Sequence, residues 1–124
     1  MNQVLIFFGC GIGGLFRYWI SNLMYLLLGR NFPYGTLIVN VSGSLLMGIL
    51  LAVILERFSL QAAELRAFLL IGFLGGYTTF STFSIETISL FENGDMLGAI
   101  LNMLLSVLLC VSAAWVGTLL GRQL

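Results

Sequence analysis

Long apolar stretches, divided by short polar clusters, fill this chain from end to end. The first runs from about Val4 to Leu28 and stops at Gly29-Arg30-Asn31-Phe32-Pro33, a turn built around the only proline. The second, Gly35 to Leu55, carries no charge. Glu56 to Glu64 then forms a polar connection, in which Ser59 is placed to cap a short amphipathic turn. A third stretch extends from about Leu65 to Phe91, and Glu92-Asn93-Gly94-Asp95 makes the next turn. The fourth, Met96 to Gly121, is again uncharged. About 20 apolar residues cross a bilayer core of about 30 Å, and each stretch meets that length. The pattern predicts an all-α integral membrane protein with spans over 4–28, 35–55, 65–91 and 96–121, in one unit of 124 residues.

Composition leaves no room for a water-facing surface. The chain is 60% hydrophobic and 8% charged, with a mean hydropathy of +1.09, whereas soluble domains carry about 25% charged residues. Its surroundings are therefore a lipid bilayer. Five arginines balance five acids, and there is no lysine or histidine. The clustered positive charge that binds nucleic acid is missing, and so is the commonest metal ligand and general base. Cys10 and Cys110 stand alone in apolar segments and read as small packed residues. No basic residue precedes the first apolar run, and Arg17 interrupts it, so it reads as a membrane segment rather than a leader.

Four spans place both ends of the chain on one side of the membrane. That side holds Arg57, Arg66 and Arg122 against Arg30 on the other, with Arg17 inside the first span. So small a difference gives a feeble orientation signal, and it allows copies inserted both ways. Small residues recur four apart at Gly9 and Gly13, Ser44 and Gly48, Gly72 and Gly76, and Gly117 and Gly121. Such pairs let membrane helices approach closely. Four short helices enclose little space, so a polar pathway would call for a second subunit.

Polar residues also repeat at helical spacing within the spans. Thr36, Asn40 and Ser44 share one face of the second, and Asn102, Ser106 and Cys110 one face of the fourth. Ser and Thr often bond only their own backbone. A side-chain amide buried without partners costs on the order of a few kcal/mol, which marks Asn40 as a pathway lining and leaves Asn102 open to a role as interhelical glue. Arg17 and Glu86 are ionisable residues inside spans, at a vestibule or in a structural polar contact.

The third span holds GGYTTFSTFS, Gly75 to Ser84. The glycine pair weakens a helix by roughly 1 kcal/mol per residue, and the β-branched Thr78, Thr79 and Thr82 weaken it further. A break there would free carbonyls suited to a hard cation such as Na⁺. Phe80 and Phe83, three apart, face one side, and ring edges carry positive charge that can meet an anion.

The GGYTTFSTFS stretch, the GxxxRYW pattern ending at Arg17-Tyr18-Trp19, and GTLIVNVSGS from Gly35 to Ser44 together resemble the Fluc (CrcB) family of fluoride channels along essentially the whole chain. That resemblance implies antiparallel, dual-topology homodimers in the cell's inner (plasma) membrane, each with fluoride pores and a central structural Na⁺. It implies that Phe80 and Phe83 contact F⁻ through ring edges, that Asn40 donates its amide, and that Thr36, Ser81 and Thr82 line the ion path. Gly75 and Thr78 match the positions whose carbonyls hold Na⁺. Arg17 matches an arginine near the vestibule, and Glu86 a family glutamate. Asn102 and Cys110 stand where some relatives have tyrosine and serine, so the fourth-helix hydroxyl track is less continuous here.

The expected activity is passive, fluoride-selective export that lowers cytoplasmic fluoride, with no catalysis. A proton-coupled exporter of four short spans would need a carboxylate in the first, where only Arg17 is ionisable. A non-transporting assembly subunit would pass no ion. An enzyme would need a partnered nucleophile, and Glu86 has no His beside it.

Overall fold

A computed structural model describes residues 1–124. It is entirely helical, and four segments are long and apolar enough to cross a membrane. The chain is thus a multi-pass membrane protein. Helix α1 spans Asn2–Leu28 and α2 spans Tyr34–Arg57. A single 3-10 turn, Ser59–Gln61, leads into α3 over 62–77, and α4 follows at Phe80–Glu92. Helix α5, Met96–Gln123, closes the bundle. The turns that separate the spans contain the positive-φ glycines, Gly29 at 89° and Gly94 at 81°, a backbone that a side chain would strain. Ser59 begins the 3-10 turn but caps nothing; Phe58 precedes that turn without a side-chain bond. Asp95 does cap its helix, accepting the Gly98 N–H at 2.8 Å.

Two close helix pairs make the framework, α1 with α3 and α2 with α5. Glycine sets both distances. A Cβ on Gly9 would sit 2.5 Å from the Phe68 carbonyl, and one on Gly13 would collide with the Phe73 carbonyl. On the other pair, Cβ atoms on Gly48 and Gly117 would strike the carbonyls of Ala114 and Leu45. The obstacle in each case is backbone, which cannot move aside. Val39, Ile54, Leu70, Leu74 and Tyr77 form the buried core between the pairs. Gly117→Val should therefore cost at least the ~1–3 kcal/mol of an overpacked core. It should abolish the monodisperse peak in detergent. Gly11→Ala, with nothing within 4 Å of its Cβ, should leave that peak unchanged.

Within α3 the winding changes. Arg66–Leu74 is a nine-residue π-helical stretch, unusual at this length, since such windings occur mostly as single turns at functional sites. It ends where the Gly75 N–H reaches Leu70 O as well as Gly72 O. The helix then stops at Tyr77, whose hydroxyl lies 2.9 Å from Ser42 Oγ on α2.

Candidate ion pathway at the helix break

Between α3 and α4 the backbone is extended at two residues, Thr78 (φ −82°, ψ 160°) and Thr79 (φ −152°, ψ 123°). β-Branched residues favour that conformation. The glycines do not break the helix: Gly75 is helical at φ −62° and ψ −38°. Gly76 instead lets α3 press against α1, where a Cβ would meet the Cys10 carbonyl. The break thus lies two residues beyond the glycine pair, at the threonines.

Asn40 holds the break open. Its Nδ2 donates to the Thr79 carbonyl at 2.9 Å, and its Oδ1 accepts the Thr79 N–H at 2.8 Å. One amide side chain therefore satisfies both backbone groups of Thr79, leaving one Nδ2 hydrogen free. The Thr79 hydroxyl caps α4, accepting the Thr82 N–H at 3.3 Å. In an unbroken helix those two N–H groups would bond the carbonyls of Gly75 and Thr78. Both carbonyls lose their helical donors.

Two cavities flank the break. The first, about 370 Å³, is lined by Asn40, Ser44, Phe80, Phe83, Ser106 and Cys110, among others. The second, about 320 Å³, is lined by Arg17, Tyr18, Ser21, Thr36 and Thr82. Thr79 borders both. The Phe80 and Phe83 ring centroids lie 5.3 Å apart at 54°, so the rings are tilted and not stacked. Phe80 is 78% exposed, a large ring left open on the side of the bundle.

The polar stripe of α2 thus runs from the second cavity at Thr36 to the first at Ser44, with Asn40 between. Phe80 and Phe83 share the first cavity with Asn40, while Thr82 and Arg17 share the second with Thr36. Ser81 is exposed and borders neither; its hydroxyl lies 3.4 Å from Thr79 Oγ1. Thr78 lines the first cavity, but its hydroxyl is turned to Leu74 O at 3.0 Å. Glu86 accepts a hydrogen bond from Tyr25 at 2.5 Å and lines neither cavity. Gly75 faces outward. Thr79 and Tyr25 were not singled out as site residues from residue type. Thr79 lies inside the conspicuous motif, whereas nothing in its own stretch distinguishes Tyr25.

On α5, Asn102 is 2% exposed and donates to Thr87 Oγ1 on α4 at 2.9 Å. It ties two helices together, while Ser106 and Cys110 further along face the cavity. Asn102→Ala should lower the melting temperature, at ~1–3 kcal/mol for a buried hydrogen-bond partner removed. Anion selectivity of the folded fraction should stay unchanged. Cys10 and Cys110 are both free and only half-buried; Cys10 Sγ lies 3.9 Å from Ile71 O on α3.

A family model described as "CrcB-like protein, Camphor Resistance (CrcB)" matches residues 4–118. The chain is similar to "Fluoride-specific ion channel FluC" of Coxiella burnetii strain Dugway 5J108-111, 65% identical over 124 residues and 100% of both chains. A protein of the same name from Magnetococcus marinus is 49% identical over 122 residues, 98% of each chain. Another from Methylococcus capsulatus is 59% identical over 124 residues, all of this chain and 54% of that longer one.

Proposed function

Because this chain belongs to the CrcB family, we propose that it is a fluoride-selective channel subunit, carrying F⁻ passively and catalysing no reaction. The observation that carries this reading is the wall of the first cavity. There two phenylalanine rings stand beside an asparagine amide with one free N–H, and no Lys or Arg lines that cavity.

Fluoride holds its water tightly, so a path for it must replace hydration with many weak donors. Ring edges, hydroxyls and one amide supply partial positive charge without a fixed cation. Binding is then adequate for entry and weak enough for release, as conduction requires. Phe80, Phe83 and Asn40 make up the narrow wall, and Thr36, Thr82 and Ser81 the hydroxyl approach. Arg17 lies in the second cavity, where a solvated guanidinium draws anions to the entrance. In acid surroundings HF crosses lipid and dissociates inside, and such a channel drains the F⁻ left behind. The site of action is the inner, plasma membrane.

The working unit is an antiparallel homodimer of copies inserted in both directions. Two features support a second copy: the 78% exposure of Phe80 beside the cavity, and the outward-facing Gly75. The carbonyls of Gly75 and Thr78, stripped of helical donors, are hard oxygen ligands that fit Na⁺. One chain offers only these two, and a two-fold partner would make four. Bound there, Na⁺ would supply positive charge that fixes the paired breaks.

Proteoliposomes loaded with KF test the channel reading. Adding a K⁺ ionophore should release F⁻ rapidly with no proton gradient, while KCl-loaded vesicles retain Cl⁻. Equal leakage of the two anions would contradict the reading, as would flux that needs a proton gradient.

A further inference from the structure

We propose that Tyr25 is a positioning residue that tethers the Glu86 carboxylate away from the anion path, an inference that rests on the channel reading. Glu86 stands on α4 four residues after Thr82 and three after Phe83, so the three share a helix face. Helical side chains lean towards the N-terminus, which aims Glu86 along α4 at Thr82, a wall of the second cavity. A carboxylate loose at that place would repel any anion passing it.

It is not loose. The Tyr25 hydroxyl, from the last turn of α1, donates to Glu86 Oε2 at 2.5 Å. With its only proton committed, that phenol oxygen can still accept, and Thr36 Oγ1 lies 3.4 Å away to donate. The ring is fixed as well. The Arg30 guanidinium lies over it at 4.9 Å from the centroid. On the other side it packs on Gly35, where a Cβ would sit 2.6 Å from Tyr25 Cε2. Residues from α1, the α1–α2 turn and the start of α2 thus converge on one phenol. The second carboxylate oxygen, Oε1, is buried with no partner at all. The Tyr25 bond is consequently the single polar restraint on the group. Without it nothing polar opposes rotation of the side chain towards the hydroxyls of the path.

The test is F⁻ efflux from proteoliposomes for wild type, Tyr25→Phe and Tyr25→Phe/Glu86→Gln, with dimer content checked by gel filtration. Tyr25→Phe should slow efflux roughly tenfold, the scale of one charge-assisted hydrogen bond lost. Adding Glu86→Gln removes the charge and should restore efflux to within about threefold of wild type, a coupling that independent sites would not show. An unchanged rate in Tyr25→Phe would overturn the tether. So would a slowed rate, or a loss of folded protein, that Glu86→Gln does not repair, because the phenol would then serve packing alone. Wild-type vesicles that release no F⁻ would overturn the channel reading itself and the tether with it.

Discussion

Phe83→Ile should reduce F⁻ efflux by roughly 10- to 100-fold while the protein still elutes as a folded dimer. The estimate takes the lost ring-edge contact as comparable to a hydrogen bond to a charged group, about 1.5–3 kcal/mol, added to the barrier. Isoleucine retains bulk and apolar character but has no polarised edge, so packing changes little while the anion loses a partner. Phe80→Ile should behave alike, because both rings border the same cavity with centroids 5.3 Å apart. Stopped-flow or electrode measurement of efflux, beside gel filtration, reads both quantities. Unchanged efflux in both variants would return these rings to ordinary packing.

Asn40→Leu should have the largest effect of all, on stability and on transport together. Leucine is close in volume but strands the Thr79 N–H and carbonyl, now bonded at 2.8 and 2.9 Å. Each stranded buried group costs about 1–3 kcal/mol, so the pair threatens much of a membrane domain's margin. Asn40→Asp distinguishes the two roles of the residue. It keeps an acceptor for the Thr79 N–H, yet turns a second acceptor on the Thr79 carbonyl and adds negative charge beside the path. The Asp variant should fold better than the Leu variant and still conduct poorly. Melting temperature in detergent and efflux from vesicles separate the outcomes. A Leu variant with wild-type melting would show that Asn40 does not hold the break.

Much of this architecture is legible along the chain because span-forming signals are local. Apolar runs, the Pro33 turn and the Gly94 turn each declare themselves within a few residues. Four-residue glycine spacing likewise marks the close helix pairs, since only a missing Cβ permits backbone contact. The exact break is less legible. Gly75-Gly76 is the weaker helix former on propensity, yet the chain stays helical there and opens at Thr78 and Thr79. Propensity lost to tertiary contact: α1 presses on Gly76 through Cys10, and Asn40, 39 residues away in sequence, supplies the hydrogen bonds that make Thr79 affordable. The Asn40 stripe shows in the sequence, but its partner does not. Tyr25 is harder still, one aromatic among many, and its meaning comes from Glu86, 61 residues away. Long-range polar pairs of this kind have no periodicity to betray them.

The central claim is that this pathway conducts fluoride itself, and an electrical measurement tests it most directly. Purified protein in a planar bilayer, with symmetrical Cl⁻ and a tenfold F⁻ gradient, should give a current that reverses at about 59 mV, the value for a one-electron-equivalent charge per decade. The reversal potential should track the F⁻ gradient and ignore changes in Cl⁻ or pH. A reversal potential that stays near zero, or that follows Cl⁻ or protons, would contradict the account.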